Sequence, residues 1–244
     1  WFAHVLSQCD AIICISKSVA LDYLAHLQES PVPDLRTRQL GWFSLGADFE
    51  AKKNITPTPI VEEFIKNKPI FFLSVGTIEP RKAYPIALAA FEKLWAQGDE
   101  RIYVIVGRAG WNTTTLQKLI KSHPEYGRKL YWFADANDAD LRLFYQQAQA
   151  LVFPSFAEGF GMPLVEALYY GASVIASDIP VFREVGGEDV CYFSLLDAGS
   201  LQKQILAIGG IAKKHTRPDL VSWPQSAAEL VEMINHEPVS YTHL

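Results

Sequence analysis

From residue 70 onward, short β-rich apolar runs alternate with longer stretches in which apolar residues recur at helical spacing. The apolar runs lie at 70–76, 102–107, 130–134, 150–155, 172–177 and 190–193. Several of them show no polar alternation, which is typical of strands that are covered on both faces. Strands separated by helices at this spacing require right-handed crossovers between parallel neighbours. The pattern therefore predicts an α/β fold with a doubly wound parallel sheet.

The helical stretches between these runs carry start and stop signals. "PIALAAFEKLWAQG" has Pro85 near its start and Gly98 just past its end. "NDADLRLFYQQAQ" offers either Asn137 or Asp138 as an N-cap, and "TTTLQKLIKSHP" stops at a proline. Because proline suits a first helical turn and glycine suits a helix end, these signals support three separate helices.

The residues before position 70 do not fit into this sheet. "DAIICIS" and "KSVALDYLAHL" predict one more strand–helix unit with Ser16 as N-cap, followed by an exit strand and a turn. The polar, proline-spaced "KKNITPTPIVEEFIKNKP" is typical of a linker. Near the end, "SWPQSAAELVEMI" predicts an amphipathic helix with Ser222 as its cap and Pro224 in its first turn.

These patterns divide the chain into five segments. We expect the tail end of an N-terminal domain, a linker, a complete sheet domain, a C-terminal helical segment and a non-native-looking tail at 1–50, 51–69, 70–208, 209–236 and 237–244. The last letters, "PVSYTHL", look like translated adapter sequence and are excluded from fold reasoning. The chain starts with Trp1 rather than Met, so we take it to be a fragment of a longer protein.

Composition argues against a nucleic-acid partner, a metal site and a membrane span. The formal net charge is −5 and no Lys/Arg-rich run occurs, which argues against a nucleic-acid partner. Cys9, Cys14 and Cys191 have neither metal-ligand nor disulfide-framework spacing, so we expect reduced, buried thiols and no metal site. No apolar run approaches the roughly 20 residues that a membrane span needs. We therefore expect a cytoplasmic protein.

Glycines and cations follow the first two predicted strands of the sheet. "GTIEPRK" contributes Gly76, Arg81 and Lys82, and "GRAGW" contributes Arg108 between two glycines. In open parallel sheets ligands bind beyond the carboxyl ends of the strands, where glycines, cations and helix N-termini form anion sites. The pattern predicts a bound diphosphate. The sequence has no G-x-G-x-x-G or Walker A motif, which argues against NAD enzymes and P-loop ATPases.

The stretch "EGFGMPLVE" follows the fourth strand and combines two carboxylates with a helix start. Pro163 suits a first turn, so the helix is predicted to begin at about Met162, with Glu158 in the loop and Glu166 about one turn inside. A loop carboxylate accepts hydrogen bonds from sugar hydroxyls, and an inner one accepts two from a ribose. Backbone N–H groups of 159–164 can donate to the oxygens between them. These features fit an extended nucleotide-diphosphate sugar.

Several stretches together resemble one family. "EGFGMPLVE" is similar to the Glu-x7-Glu motif of the retaining GT-B glycosyltransferases of family four. "VGTIEPRK", "FEKLW", "VIVGRAGW" and "IPVFREVGGE" resemble the bacterial mannosyltransferase-type members that build O-antigen and related polysaccharides. The resemblance covers residues 10–235 and implies that the sheet is the C-terminal domain of a GT-B enzyme, preceded by a remnant of the acceptor-side domain.

The resemblance also implies roles for individual residues. Glu158 resembles the residue that contacts the transferred hexose, Glu166 the one that holds the ribose hydroxyls, and Lys82 the lysine that neutralises the diphosphate. The remaining donor-binding positions are the backbone cradle and helix start at Gly159, Phe160, Gly161, Met162, Pro163 and Leu164.

One position departs from the family pattern. Many members have an arginine directly after the glycine that corresponds to Gly76, whereas this chain has Thr77. Either Arg81 or Arg108 could supply the missing charge. Residues 132–135 resemble the loop that meets the base.

The activity that the resemblance implies is transfer of a hexose with retention from a GDP- or UDP-linked donor, without a metal. The acceptor would be a glycan or a lipid-linked glycan, bound through the N-terminal domain, and the enzyme could associate peripherally with the inner membrane face. On its own, this fragment is expected to bind donor without transferring it.

Two other functional classes stay open at this point. The same fold serves sugar-nucleotide epimerases and phosphorylases, which need further acid/base groups or a pyridoxal-binding lysine. A degenerate domain acting as a scaffold is the other alternative, and Thr77 is the feature that favours it.

Overall fold

The computed structural model of the chain describes residues 2–31, 39–47, 55–67, 70–208 and 220–235. These residues contain eight strands: β1 (Ala11–Cys14), β2 (Gln39–Trp42), β3 (Phe71–Val75), β4 (Ile102–Val106), β5 (Leu130–Phe133), β6 (Ala150–Phe153), β7 (Ser173–Ser177) and β8 (Val190–Phe193). They also contain ten α-helices: α1 (Phe2–Gln8), α2 (Lys17–Glu29), α3 (Pro59–Asn67), α4 (Tyr84–Ala96), α5 (Thr114–Lys121), α6 (Asp138–Gln147), α7 (Met162–Tyr169), α8 (Pro180–Gly186), α9 (Ala198–Ile208) and α10 (Trp223–Asn235).

Six strands form one parallel sheet in the order β5-β4-β3-β6-β7-β8. From β3 the chain adds strands outward in one direction to β5, and from β6 it adds them in the other direction to β8. The predicted α/β fold with a doubly wound parallel sheet is therefore confirmed. The direction reverses between β3 and β6, and this switch point is where such sheets bind ligands.

Neighbouring phenylalanines of β3 show that the sheet is covered on both faces. Phe71 and Phe72 are both buried and, as successive strand residues, point to opposite faces. Phe72 packs beside Phe91 of α4 with ring centroids 5.7 Å apart, and Phe71 packs against Phe144 of α6 at 6.0 Å. Each such ring contributes roughly 1.5–3 kcal/mol when buried. This two-sided burial explains why the strand sequences lack polar alternation.

The N-cap of α6 is Asn137 rather than Asp138. Its side-chain oxygen accepts hydrogen bonds from the N–H groups of Ala139 and Asp140 at 2.8 and 2.9 Å. The Asp140 carboxylate in turn accepts from the Asn137 N–H at 3.0 Å, which completes a capping box. This cap fixes where α6 begins beside the sheet edge.

Part of the predicted linker is a helix that packs on the sheet. Within its described part, 55–67, α3 buries Val61 and Phe64. The Phe64 ring makes edge contacts with Phe71 at 5.6 Å and Tyr131 at 4.9 Å. The N–H and hydroxyl of Thr58 donate to a buried Asp140 oxygen at 2.6 and 3.1 Å. In this described part Pro57 precedes the helix and Pro59 occupies its first position, so these two prolines start a helix instead of preventing one.

The chain divides into two compact units, formed by the described residues of 49–218 and by those of 1–48 and 219–244. In the smaller unit, β1 pairs in parallel with β2, and α2 begins at the predicted cap Ser16, whose hydroxyl accepts from the Val19 N–H at 3.2 Å. The helix α10 belongs to this unit, where the Ala47 N–H donates to the Val221 carbonyl at 2.8 Å. The hydroxyl of Ser222, the predicted N-cap of α10, accepts a hydrogen bond from the Gln225 N–H at 3.3 Å.

Some sequence predictions concern residues without a description. Residues 32–38, residues 209–219 and the predicted non-native tail at 237–244 lie outside the described residues. Among the helices that are described, none combines the length and the apolarity needed to cross a membrane.

Candidate active site

The loops that follow β3 and β6 meet at the switch point of the sheet. After β3, residues Pro80–Lys82 form a short 3-10 turn that ends at Ala83, a residue in the left-handed region with φ 47°. The Arg81 carbonyl accepts a hydrogen bond from the Phe156 N–H at 3.0 Å, which joins this turn to the loop after β6. The backbone thus brings the predicted cations and the first predicted carboxylate to the same place.

Three charged side chains form one cluster there. Lys82 Nζ lies 2.7 Å from Glu158 Oε1, and Arg81 Nη1 lies 2.6 Å from Glu158 Oε2. The side chains of Lys82 and Glu158 are each only 8% exposed, whereas that of Arg81 is 41% exposed and also contacts Glu79 at 3.0 Å. The ammonium of Lys82 lies 4.9 Å from the centre of the Phe153 ring, a cation–π distance.

This cluster is poorly explained by stability alone. Removing two charges from water costs several kcal/mol per ion, and the attraction between them offsets that cost only in part. A buried charge cluster at a ligand-binding edge of the sheet is therefore better understood as part of a site. Its two cations are suited to bind a polyanion, and its carboxylate to accept hydrogen bonds from hydroxyl groups.

Two glycines allow the loops beside the cluster to run close together. Gly107, after β4, has φ +150°, and a Cβ there would come within 2.1 Å of the Gly76 carbonyl oxygen. Gly76 itself has φ +137°, and a Cβ on it would lie 3.2 Å from Lys82 Nζ. The Tyr84 hydroxyl donates to the Gly76 carbonyl at 2.6 Å and holds this turn in place. Gly76 thus lies close both to the neighbouring loop and to Lys82.

The second carboxylate lies on the helix that "EGFGMPLVE" was predicted to form. The helix α7 begins at Met162 as predicted, after Gly161 with φ +100°. A side chain at Gly161 would come within 2.9 Å of the Phe182 ring. The side chains of Phe160 and Leu164 are buried, and those of Met162 and Pro163 are half-buried, so in this segment the backbone is the main hydrogen-bonding surface.

Glu166 is half-buried and has one strong partner. The hydroxyl of Tyr145 on α6 donates to Glu166 Oε2 at 2.6 Å. Burial raises the pKa of Glu166 above its ordinary value, while the Tyr145 hydrogen bond and the charge of Lys82 act to lower it. Lys82 therefore interacts with both carboxylates, directly with Glu158 and electrostatically with Glu166.

Tyr145 is the residue that sequence reasoning missed. It is fully buried, and a buried tyrosine hydroxyl needs a hydrogen-bond partner. The sequence shows that Tyr145 shares a helical face with other apolar residues, but not which side chain its hydroxyl meets. That partner depends on how α6 packs against α7.

Two of the predicted donor-binding residues lie outside the cluster. Thr77 and Arg108 are exposed, and the Arg108 guanidinium has no ion-pair partner among the residues that the structure describes. The Arg108 carbonyl accepts from the Ile78 N–H at 2.8 Å, which continues the pairing of β3 and β4 into their loops. Of the two candidates to replace the charge missing at position 77, it is Arg81 that belongs to the cluster.

The predicted base-contacting loop begins at a tethered tryptophan. Trp132 on β5 donates its indole N–H to the Gly107 carbonyl at 2.8 Å, and Lys121 Nζ lies 5.1 Å from the ring centre. Its ring is partly buried against the core. The contacts of Trp132 described here are thus to the protein itself, while Asp135 further along the loop is exposed.

Comparison with known proteins gives one family. A family model described as "Glycosyl transferases group 1" matches residues 58–207. The chain is 34% identical over 242 residues to the "Serotype-specific mannosyltransferase WbdA" of Escherichia coli, a match covering 95% of this chain and 30% of that protein. It is 33% identical over 140 residues to the "O-antigen chain mannosyltransferase RfbU" of Salmonella typhimurium, covering 57% of this chain and 38% of that protein. The chain thus spans about a third of the length of these curated relatives.

Solved structures share the fold. Sucrose-phosphate synthase from Thermosynechococcus elongatus matches with a TM-score of 0.71 at 21% identity, covering 96% of this chain and 60% of that one. Anabaena HepE, solved in complex with UDP and glucose, matches with a TM-score of 0.72 at 14% identity, covering 96% and 65%. These neighbours are GT-B glycosyltransferases, so the predicted GT-B fold class is confirmed.

Proposed function

The chain belongs to the group 1 glycosyl transferases, and from this premise we propose that it binds a nucleotide-diphosphate hexose at the switch point of its sheet. The hexose is transferred with retention to a glycan or a lipid-linked glycan. Mannose is the proposed sugar because the relatives WbdA and RfbU are named mannosyltransferases. A place of action in the cytoplasm, with peripheral contact at the inner membrane face, is carried over from the resemblance to polysaccharide-building enzymes.

The observation that carries the proposal is the cluster of Lys82, Arg81 and Glu158. Two cations meet one carboxylate at 2.7 and 2.6 Å, beside the N-terminal end of α7. A diphosphate leaving group develops negative charge as its bond to the sugar breaks, and preorganised cations and a helix N-terminus stabilise that charge. Two side-chain cations here do the work for which other enzymes use a metal ion, so we expect no metal requirement.

Each carboxylate has a proposed role in this reaction. Glu158 accepts hydrogen bonds from hydroxyls of the hexose, and Glu166 accepts them from the ribose. The bond from the anomeric carbon to the diphosphate oxygen breaks, and the acceptor oxygen bonds to that carbon from the same face. The acceptor proton leaves to the departing diphosphate. Since Glu158 is paired with two cations, it is suited to hold the sugar and not to relay protons, in contrast to the paired carboxylates of hydrolases.

Isothermal titration of the chain with GDP and with UDP tests the site. We expect saturable binding of one of them and its loss in Glu166→Ala, because removal of the carboxylate removes the acceptor for the ribose hydroxyls. Glu92→Ala is the matched control, since Glu92 is an exposed glutamate in the second half of α4 that contacts His123. Absence of binding for both nucleotides, or equal binding by the two variants, would refute the assignment.

We also propose that this chain by itself binds donor without transferring the sugar. The support is that it spans about a third of the length of its curated relatives, while acceptor binding in GT-B enzymes involves both domains. Incubation with radiolabelled GDP-mannose and an oligosaccharide or lipid-linked acceptor should leave the acceptor unlabelled. Labelled acceptor would contradict the donor-only proposal, and free epimerised sugar would instead favour an epimerase.

A further inference from the structure

The hydrogen bond between Tyr145 and Glu166 connects a buried residue of α6 to the proposed ribose-binding carboxylate. Its length of 2.6 Å is in the range of hydroxyl donors to ionised carboxylates. Tyr145 is fully buried, and its ring stacks on Tyr170 with centroids 5.9 Å apart and planes 19° apart. The position of its hydroxyl is therefore set by packing.

The two oxygens of Glu166 are in different surroundings. Oε2 accepts from Tyr145, whereas Oε1 has no hydrogen-bond partner within the part of the chain that the structure describes. Oε1 also retains some exposure to solvent. One oxygen is thus anchored to the protein and the other is open to a ligand.

We propose that Tyr145 is a positioning residue of the donor site: its hydroxyl anchors Oε2 of Glu166, so that Oε1 faces the ribose hydroxyls. This inference rests on the proposed function, in which Glu166 holds the ribose. Tyr145 has no contact with the donor in this arrangement and acts through Glu166 alone. Its effect should therefore depend on the 2′-hydroxyl of the nucleotide and on the ionisation of Glu166.

The charged and titratable groups that face Glu166 come from three elements. Tyr145 and Asp138 belong to α6, Lys82 belongs to the 3-10 turn after β3, and Tyr170 follows the end of α7 itself. Burial and Asp138 favour the protonated carboxyl, while Tyr145 and Lys82 favour the carboxylate. Loss of the Tyr145 hydroxyl removes one of the two groups that keep Glu166 ionised.

The test compares a ribonucleotide with its 2′-deoxy analogue. For the better binder of GDP and UDP, affinity for both forms is measured by isothermal titration between pH 5.5 and 8.5. We expect the unmodified chain to prefer the ribonucleotide by about tenfold, the size of a hydrogen bond to a charged group. In Tyr145→Phe this preference should fall to about threefold or less, and the loss of binding on acidification should begin at a higher pH.

Two further variants separate positioning from packing. Tyr103→Phe removes another fully buried tyrosine hydroxyl, which donates to Ser74 Oγ at 2.9 Å, and it should keep both the preference and the pH profile. Tyr145→3-fluorotyrosine keeps the ring and makes its hydroxyl a stronger donor, so its pH profile should shift in the direction opposite to that of Tyr145→Phe. In a Glu166→Gln background, adding Tyr145→Phe should change nucleotide affinity by less than about twofold. Tyr145 acts through Glu166 in this proposal, so the effects of the two substitutions are not additive.

The outcomes distinguish this inference from the proposed function. If the unmodified chain binds nucleotide but does not prefer the ribose form, the role of Glu166 is wrong and the inference falls with it. If that preference exists and Tyr145→Phe retains it with an unchanged pH profile, only the positioning role of Tyr145 is overturned.

Discussion

At the scale of single residues, Glu158 has the most unusual surroundings, because each of its oxygens meets a different cation. Lys82 and Arg81 lie at 2.7 and 2.6 Å from it, and both are the proposed ligands of the diphosphate. In the proposed complex, the carboxylate and the diphosphate share the same two cations. The carboxylate lowers the positive potential that a bound diphosphate would otherwise meet.

Glu158→Gln should therefore strengthen the binding of the free nucleoside diphosphate. We expect affinity for GDP or UDP to rise by about three- to tenfold, because two cations lose a competing anion. The extra affinity that the hexose adds should fall, because the amide is a poorer acceptor for its hydroxyls. Titration with GDP and with GDP-mannose measures both effects.

Glu79→Gln is the control for this prediction. Glu79 also contacts Arg81, at 3.0 Å, but among the described residues its carboxylate forms no ion pair with Lys82, whose backbone N–H donates to the Glu79 carbonyl at 3.1 Å. Its replacement should change nucleotide affinity in the same direction by a smaller factor. Weaker binding of the free diphosphate by Glu158→Gln would contradict the shared-cation arrangement.

The sequence predicts residues of this site that belong to one contiguous motif, and it does not predict those that depend on packing. Glu158 and Glu166 are recognisable because a glycine-rich turn and a helix start stand between them. Lys82 follows a strand whose carboxyl end is expected at the same edge. Tyr145 gives no comparable signal, because the partner of a buried hydroxyl is decided by the packing of two helices.

At the scale of elements, glycines determine how closely the loops after β3 and β4 approach each other. Gly107→Ala should destabilise the fold by about 3 kcal/mol, since the strain of a positive φ costs about 1–2 kcal/mol and the added Cβ also overlaps backbone. That Cβ would lie 2.1 Å from the Gly76 carbonyl oxygen. Urea unfolding followed by circular dichroism measures the change.

Gly98→Ala provides the comparison for Gly107→Ala. Gly98 has φ +83°, but nothing lies within 4 Å of a Cβ placed there. Only the backbone strain remains, so we expect a loss of about 1–2 kcal/mol. Equal losses for the two substitutions would mean that close approach of the loops does not constrain position 107.

The capping of α6 gives a second prediction at this scale. Asn137→Ala should lower the free energy of unfolding by about 1 kcal/mol, because the N–H groups of Ala139 and Asp140 lose their acceptor. Asp138→Ala leaves the Asn137 cap in place and removes a favourable charge from the first turn, so it should cost about 0.5 kcal/mol. Thermal unfolding of both variants decides the order, and a larger loss for Asp138→Ala would contradict the assignment of the cap.

Element boundaries follow from local signals where the chain is apolar, and less well where prolines are frequent. The six strands of the sheet lie within the predicted apolar runs because burial on both faces leaves a direct trace in the sequence. The helix α3 was missed because its polar, proline-spaced surroundings are typical of linkers. Only two of its nine residues, Val61 and Phe64, are buried, so its apolar face is too small to be recognised.

At the scale of the whole molecule, the sheet topology follows from the order of strands and helices, and the site follows from the topology. The reversal between β3 and β6 brings loops 76 residues apart in sequence into contact through Lys82 and Glu158. Which face of α6 meets α7 is a property of the assembled sheet. Sequence reasoning could therefore predict that Lys82 and Glu158 lie at the same edge of the sheet, but not how Glu166 is held.

The ionisation of Glu166 links this site to the stability of the whole fold. Burial raises the pKa of Glu166 above its ordinary value of 4.5. In the pH range between 4.5 and the raised pKa, the folded chain therefore binds more protons than the unfolded chain. Stability from this group is fully present below pH 4.5 and is lost as the pH rises through the folded-state pKa. At neutral pH the carboxylate that is proposed to bind the donor is thus a cost to the fold.

Glu166→Gln should accordingly make the chain more stable and a weaker binder at pH 7. The amide oxygen can still accept from Tyr145, but no charge has to be buried, so the free energy of unfolding should rise at pH 7 and approach that of the unmodified chain below about pH 4.5. Nucleotide affinity should fall by about tenfold, because a hydrogen bond to a charged acceptor becomes one to a neutral acceptor. Urea unfolding at several pH values and thermal shift with saturating nucleotide measure the two effects, since a ligand that binds only the folded state raises its stability. A variant that is less stable than the unmodified chain at pH 7 would show that the charged form of Glu166 is favoured by the fold itself.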